Sequence, residues 1–227
     1  MNAVTYKELN QGSLVDHVVQ LIVQSSRKSI KERGRFRIVL TGGETPNLIY
    51  KQLINITTDW SLWEFWVTDE RCVPPNDTLS NELMIRQKFL KHIPIDESKL
   101  HFMKGEIGAE LGSEIYKRSI DANIIFDLTM LGIGEDGHIA SLFPGNDLGV
   151  GPEAPDVLPV LNSPKAPAER ISLSIRRLNE SDIIIIFATG LHKKNIIANF
   201  QIGLEMPALY VHGIEATYLF YCPDYQI

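Results

Sequence analysis

Hydrophobic positions along the chain follow two alternating patterns, one typical of helices and one typical of strands. Between residues 14 and 30, apolar side chains recur at helical spacing and predict an amphipathic helix. Further helices are predicted at 47–54, 80–92, 107–122 and 191–200. Short apolar runs predict strands at 36–40, 63–68, 126–132, 170–175 and 182–188, a weak strand at 100–103, and closing strands at 208–211 and 217–221.

The alternation of strands and helices predicts an α/β fold, in which a parallel sheet is covered by helices on both faces. We expect residues 1–227 to form a single domain of this class. The stretch 144–167 holds six of the twelve prolines, and we expect it to be a long ordered loop. A loop of that length in a compact domain is usually functional or mobile.

The charge balance disfavours polyanionic partners. The 227 residues carry 22 basic and 28 acidic side chains, a formal net charge of −6. An acidic chain is poorly suited to nucleic acid or to a membrane surface, and we expect neither as a partner. If the ligand is an anion, the positive charge that binds it must be gathered locally.

Cysteine content and the N-terminal segment predict a cytoplasmic protein. Cys72 and Cys222 are too few for a disulfide framework, which favours a reducing compartment. The first ten residues lack the basic start and apolar stretch of a signal peptide. The longest apolar run, at 182–188, is too short to span a bilayer.

Four predicted strands end in segments that are rich in glycine or charge. These segments are TGGETP after Leu40, DER after Thr68, GIGEDGH after Leu131 and GLHKK after Thr189. Ligands of open α/β sheets bind beyond the carboxyl ends of the strands, so we expect the four segments to share one rim. That rim would collect Thr45, Asp69, Arg71, Asp136, His138 and Lys193.

The glycines of TGGETP suit a phosphate site. Gly42 and Gly43 permit a sharp turn that brings backbone N–H groups close to an anion. We predict that a helix follows with Thr45 as N-cap and Pro46 as its first residue. The positive end of such a helix favours phosphate, although an ordinary tight turn is the alternative. The segment is not a P-loop, because no GK[ST] follows.

The histidine of GIGEDGH is the best candidate for acid–base chemistry. The three glycines of this segment have G-x-G-x-x-G spacing, but no long amphipathic helix follows, which argues against a dinucleotide site. His138 would titrate near neutrality and could serve as a general base, with Asp136 orienting its ring. The alternative is a histidine that is satisfied by the backbone of its own turn.

The remaining polar candidates also have plain structural interpretations. The DER segment could be a surface salt-bridge cluster, Arg170 a solvated charge at a strand start, and residues 192–194 a solvated helix face. Three tryptophans at 60, 63 and 66 indicate core or lid packing. The six histidines show neither HxxxH nor HxH spacing, so a metal site is not expected.

Five segments taken together resemble 6-phosphogluconolactonase. They are LTGGETP, DERCVPPNDTLSN, LGIGEDGHIASLFPG, RISLS and GLHKK, in this order over roughly residues 36 to 195. The resemblance implies a three-layer α/β/α fold with a mostly parallel central sheet, of the modified Rossmann type shared with glucosamine-6-phosphate deaminase and ribose-5-phosphate isomerase. It also implies hydrolysis of 6-phospho-D-glucono-1,5-lactone, the second step of the pentose phosphate pathway, without metal or organic cofactor.

The resemblance implies a role for each matching residue. His138 would activate water, while Asp69 and Arg71 would line the site near the lactone. Gly43, Glu44 and Thr45 would lie by the phosphate, which Arg170 and Lys193 would grip. We expect the Glu44 side chain to point outward, because its carboxylate would repel an anion. The expected partner is the small sugar-phosphate lactone, and the expected assembly is a monomer or homodimer.

Two other functions remain open. The GHIA segment at 137–140 resembles glucosamine-6-phosphate deaminase, but SLFPG follows it where that family has a stretch like FNEPG with an assisting acid. Arg71 also stands where the deaminase has Tyr. A non-catalytic sugar-phosphate sensor is the second alternative. Such sensors usually carry a helix-turn-helix and a basic face, whereas only about 35 residues precede the first predicted strand here.

Overall fold

Strands and helices alternate along the described part of the chain, residues 3–121 and 123–225 of a computed structural model. The strands are β1 (Val4–Glu8), β2 (Phe36–Leu40), β3 (Trp63–Val67), β4 (Asp69–Arg71), β5 (Phe126–Gly132), β6 (Val157–Val160), β7 (Arg170–Leu173), β8 (Ser181–Thr189) and β9 (Ala216–Cys222). The α-helices are α1 (Gln11–Arg33), α2 (Glu44–Leu53), α3 (Asn81–Lys88), α4 (Ala109–Ser119), α5 (Ile175–Asn179) and α6 (Lys194–Gln201). Short 3₁₀ helices connect several of them. No helix within these ranges combines the length and apolarity needed to cross a bilayer.

Six strands form a central sheet in the order β1-β9-β8-β5-β2-β3, and every neighbouring pair is parallel. The predicted α/β fold is therefore confirmed. A second sheet, β4-β7-β6, is antiparallel and continues directly from β3. Thr68 joins the two sheets, since its carbonyl accepts the N–H of Leu173 at 2.8 Å. This small sheet therefore lies at the carboxyl edge of the large one.

Helices cover both faces of the central sheet. Because side chains alternate across a strand, Phe65 and Trp66 of β3 lie on opposite faces. The Phe65 ring packs against Phe89 at the end of α3, with centroids 5.6 Å apart. The Trp66 ring packs against Tyr116 of α4 at 6.1 Å. The three-layer arrangement is thus confirmed, and the tryptophans at 60, 63 and 66 are core residues.

Two predicted strands are wrong. Residues 100–103 form a single bridge, between Leu100 and Phe65, within the short connection that joins the 3₁₀ turns Glu97–Lys99 and Gly105–Ile107. Residues 208–211 lie mostly in the 3₁₀ helix Pro207–Tyr210. Pro207 has no N–H for a ladder, and its fixed φ suits the first turn of a helix.

Two strands and the start of one helix also differ from the predictions. The expected loop 144–167 contains the edge strand β6, where Pro159 is tolerated because an edge leaves N–H groups unpaired. β1 was not predicted; it pairs with β9 at the other edge of the central sheet. Helix α2 begins at Glu44 with Gly43 as N-cap, so Thr45 is not the cap. Pro46 is accommodated because N–H groups in a first turn have no helical acceptor.

Candidate active site

A cavity of about 370 Å³ opens at the carboxyl edge of the central sheet. The segments that follow β2, β5 and β8 meet there with β4, as the strand-end argument predicts. The lining residues are Thr41, Gly42, Asp69, Arg71, Asn81, Gly132, Ile133, Gly134, His138, Ala140, Lys165, Ala166, Arg170 and Lys193. Of the predicted site residues, Gly43, Glu44, Thr45 and Asp136 do not line the cavity, although each adjoins a residue or turn that does.

A tight turn after β5 mounts His138 in the wall of the cavity. The turn closes through two backbone hydrogen bonds, Gly134 N–H to His138 O at 2.8 Å and Gly137 N–H to Gly134 O at 3.1 Å. A Cβ at Gly134 would lie 2.0 Å from Nδ1 of His138 and 2.6 Å from Oδ1 of Asp136. Glycine is therefore needed at this position so that the imidazole and the carboxylate can pack against the backbone.

The Asp136 carboxylate selects the tautomer of His138. Nδ1 of His138 lies 2.5 Å from Oδ1 of Asp136. An ionised carboxylate can only accept a hydrogen bond, so Nδ1 carries the proton and Nε2 of a neutral ring carries the lone pair. Burial opposes ionisation of Asp136, but the bond to His138 keeps the pKa of Asp136 below its ordinary value. The pair therefore presents Nε2 as a base.

Burial lowers the pKa of His138 below its ordinary value, and the nearby positive charge of Lys165 acts in the same direction. Asp136 and Asp69 partly offset this shift by favouring the charged ring. The Phe143 ring lies 4.5 Å from the imidazole, centroid to centroid, and contributes to its partly buried environment. The base is consequently neutral over a wider pH range than a solvated histidine.

Asp69 is buried and fixed from both sides. Its Oδ1 accepts a hydrogen bond from the Thr68 hydroxyl at 2.8 Å, and its Oδ2 accepts one from the Ser141 hydroxyl at 2.7 Å. Ser141 belongs to the segment that follows His138, so this bond ties β4 to the His138 turn. Asp69 thereby faces the cavity with a fixed orientation.

Two arginines face each other across the small sheet. Arg71 of β4 and Arg170 of β7 are directly opposite in the antiparallel register, where like charges destabilise a pair. Burial lowers the pKa of Arg170, and the charge of Arg71 lowers it further. Nε of Arg71 is buried and has no hydrogen-bond partner in the described residues. An anion in the cavity would relieve the repulsion between the two arginines.

The predicted phosphate loop contributes backbone to the cavity. Gly42 lines it, and a Cβ there would lie 1.9 Å from Oδ1 of Asn81, so a side chain at this position would displace the Asn81 amide. No side chain caps the N-terminus of α2. Glu44 is exposed, while Thr45 is buried and its hydroxyl lies 2.7 Å from that of Thr189. Phosphate contacts by this segment therefore fall to its N–H groups and remain a prediction.

A buried carboxylate that was not predicted holds this wall of the cavity together. Oε1 of Glu70 accepts the N–H groups of Arg71 and Asn81, at 2.8 and 2.7 Å. Its Oε2 accepts the N–H of Glu82 at 2.7 Å and the Ser80 hydroxyl at 3.2 Å. Burial raises the pKa of Glu70 to about 7, although the backbone N–H groups oppose the shift. Glu70 thus anchors the start of α3 to β4.

Two lysines add positive charge to the cavity. Lys193 follows β8 and was predicted, whereas Lys165 comes from the proline-rich stretch before β7 and was not. Burial lowers the pKa of Lys193. With Arg71 and Arg170, four cations therefore line one cavity of an acidic chain. The signal for Lys165 in the sequence was indirect: long loops in compact domains often carry function.

Comparison with known proteins places this geometry in a family. The family described as glucosamine-6-phosphate isomerases/6-phosphogluconolactonase matches residues 10–219. The chain is 32% identical to the 6-phosphogluconolactonase of Thermotoga maritima over 215 residues, which cover 93% of this chain and 96% of that protein. A crystal structure of the 6-phosphogluconolactonase from that organism is similar with a TM-score of 0.88 at 31% identity, covering 96% of this chain and 99% of the other.

The fold alone does not separate the two activities of that family. A monomeric glucosamine-6-phosphate deaminase is similar with a TM-score of 0.78 at 21% identity, over 96% of this chain and 97% of the other. The distinction must therefore come from the side chains of the cavity.

Proposed function

This chain belongs to the family of glucosamine-6-phosphate isomerases and 6-phosphogluconolactonases, and we propose that its cavity hydrolyses 6-phospho-D-glucono-1,5-lactone to 6-phosphogluconate. This reaction is the second step of the oxidative branch of the pentose phosphate pathway. The observation that carries the proposal is the His138 imidazole in a cavity lined by four cations. Its Nδ1 is hydrogen-bonded to Asp136, so that Nε2 is available as a base. The chain is then a carboxylic ester hydrolase that acts on an anionic sugar lactone.

The proposed reaction begins with water held at Nε2 of His138. As the water oxygen attacks the lactone carbonyl carbon, Nε2 takes a proton, and Asp136 stabilises the imidazolium that forms. The bond from that carbon to the ring oxygen then breaks, and the proton passes from the imidazolium to the ring oxygen, which becomes a hydroxyl. Asp69 and Arg71 lie near the lactone in this proposal. Proton transfer by a positioned base contributes about 10²- to 10⁴-fold to the rate.

The phosphate of the substrate is assigned to Lys193, Arg170 and the N–H groups at the start of α2. Helix N-termini favour anions, and charge-assisted hydrogen bonds from lysine or arginine are the strong ones for phosphate. Binding at this end positions the lactone carbon against His138, which lowers the entropic barrier. Lactones also open unaided in water, so positioning supplies much of the acceleration that is required.

Placement of the enzyme in the cytoplasm, as a monomer or homodimer, belongs to the same proposal. The cytoplasmic placement is supported by Cys72 and Cys222, which are both free thiols.

The central test is an assay of two substrates with the unmodified protein. We expect acid release from 6-phosphogluconolactone well above the spontaneous rate, and no ammonia from glucosamine 6-phosphate. The physical reason is that position 143 is a buried phenylalanine, so the acid that would assist ring opening is missing. Ammonia release at a rate comparable to lactone hydrolysis would instead assign the deaminase activity.

Substitution His138→Asn is expected to lower kcat by about 10²- to 10⁴-fold, because it removes the base. The Asn amide can still donate to Asp136, and binding of 6-phosphogluconate is expected to change little, as measured by calorimetry. His192→Asn is the matched control, since His192 is exposed and does not line the cavity. Wild-type turnover in His138→Asn would mean that another group activates water.

The pH dependence follows from the direction of the His138 shift. The base acts when it is neutral, and its pKa is lowered, so kcat/KM is expected to stay high at the ordinary histidine value of about 6.5 and to fall only below it. Rates must be corrected at each pH for spontaneous hydrolysis. A limb centred above the ordinary histidine value would contradict this assignment.

Substitution Lys193→Met is expected to raise KM for the phosphorylated lactone by about 10- to 100-fold, which corresponds to the loss of one charged hydrogen bond. KM for glucono-1,5-lactone, which has no phosphate, should not change. Lys194→Met removes the same charge from an exposed neighbour outside the cavity and serves as control. Equal losses on both substrates would show that Lys193 does not bind the phosphate.

A further inference from the structure

Residues 163–168, which we call the strap, form a closed turn at the cavity. The N–H of Ser163 donates to Ala168 O at 2.9 Å. The Ser163 hydroxyl donates to Lys165 O at 2.8 Å and accepts the N–H of Lys165 at 3.2 Å. Lys165 and Ala166 of the strap line the cavity. The backbone that carries Lys165 is therefore held in place, although its side chain is exposed.

Arg170 binds the strap rather than only facing the cavity. Its Nη2 donates to Lys165 O at 3.0 Å and to Ala166 O at 3.3 Å, while its Nε donates to Pro167 O at 3.2 Å. The carbonyl of Lys165 thus accepts from both Ser163 and Arg170. Most donors of the Arg170 guanidinium are engaged by the strap, which leaves Nη1 for a ligand. A lysine at position 170 could not reproduce this three-carbonyl contact.

Lys165 lines the same cavity as His138 and Lys193, which mark the two ends of the proposed substrate site. Its positive charge lowers the pKa of His138 and also that of Lys193, in agreement with their shared cavity. In a 1,5-lactone, the ring oxygen joins the carbonyl carbon to the carbon that bears the phosphorylated arm. If His138 faces the carbonyl carbon and Lys193 binds the phosphate, a further cation lining the same cavity is within reach of the ester linkage that joins these two ends.

We propose that Lys165 is a catalytic residue that contacts the ester oxygens of the lactone and stabilises the negative charge that develops there, and that Arg170 positions it through the strap. This inference rests on the proposed function. It is electrostatic, and no proton or bond is transferred by Lys165. Groups aimed at a developing oxyanion are worth about 10²- to 10³-fold in kcat.

The test uses Lys165→Met, with Lys194→Met as the matched control. We expect kcat to fall about 10²-fold on both the phosphorylated and the non-phosphorylated lactone, with KM changed less than threefold. The His138 resonance, followed by NMR, should titrate at higher pH in Lys165→Met, because a nearby positive charge is gone. Lys194→Met should change none of these. Lys165→Arg keeps the charge and should recover part of kcat.

Arg170 is tested as a positioning residue by a double-mutant cycle. Arg170→Lys keeps a cation but releases the strap, and it should lower kcat in the same sense as Lys165→Met. With glucono-1,5-lactone as substrate, where the phosphate contact of Arg170 plays no part, the double variant should lose little kcat beyond Lys165→Met alone, since both changes remove one interaction. Independent, multiplicative losses would overturn the link between Arg170 and Lys165.

The outcomes separate this inference from the function on which it rests. Loss confined to KM of the phosphorylated lactone would make Lys165 a phosphate contact and overturn the inference. Kinetics equal to those of Lys194→Met would also overturn it while leaving the lactonase assignment intact. Absence of lactonase activity in the unmodified protein would overturn both.

Discussion

The position of β5 between β2 and β8 is the constraint on which the site depends. Parallel pairing directs the carboxyl ends of all three strands to one edge. The TGGETP segment after β2, the His138 turn after β5 and Lys193 after β8 therefore converge without a long connection. The small antiparallel sheet then closes the cavity from outside, because β4 continues from β3 and pairs with β7. A register shift in β5 would move His138 relative to every other group.

Concentrated positive charge is the second organising feature. Bringing Arg71 opposite Arg170 and adding two lysines raises the electrostatic free energy of the empty cavity. Part of this is offset by the buried carboxylate of Asp69, and part by the strap carbonyls that accept from Arg170. The part of this repulsion that is not offset favours binding of an anionic ligand. An acidic surface with one basic cavity also concentrates binding of small anions at that site.

The sequence predicted the strands that form the centre of the sheet, because β2, β5 and β8 are continuous apolar runs bounded by glycine or charge. It also predicted which strand ends carry chemistry. It did not predict β6, because a proline such as Pro159 argues against a strand unless the strand lies at an edge. It also did not predict that β7 belongs to a second sheet, because the strands that pair with β7 are distant in sequence. Glu70 and Lys165 were missed for the same reason: their importance comes from contacts with α3 and Arg170, which no local pattern encodes.

The choice between hydrolysis and isomerisation depends on how many groups can move protons. Isomerisation of an amino sugar phosphate requires ring opening and proton transfer between neighbouring carbons, and therefore an acid besides the base. Here the Asp69 oxygens accept hydrogen bonds from the Thr68 and Ser141 hydroxyls. The Phe143 ring packs against both His138 and Arg170, with the arginine 5.6 Å from its centroid. Glu70, the other buried carboxylate of this wall, is held by α3 and does not line the cavity. Among the described lining residues, His138 offers a ring nitrogen with a free lone pair, and attack of water on an ester needs one such base.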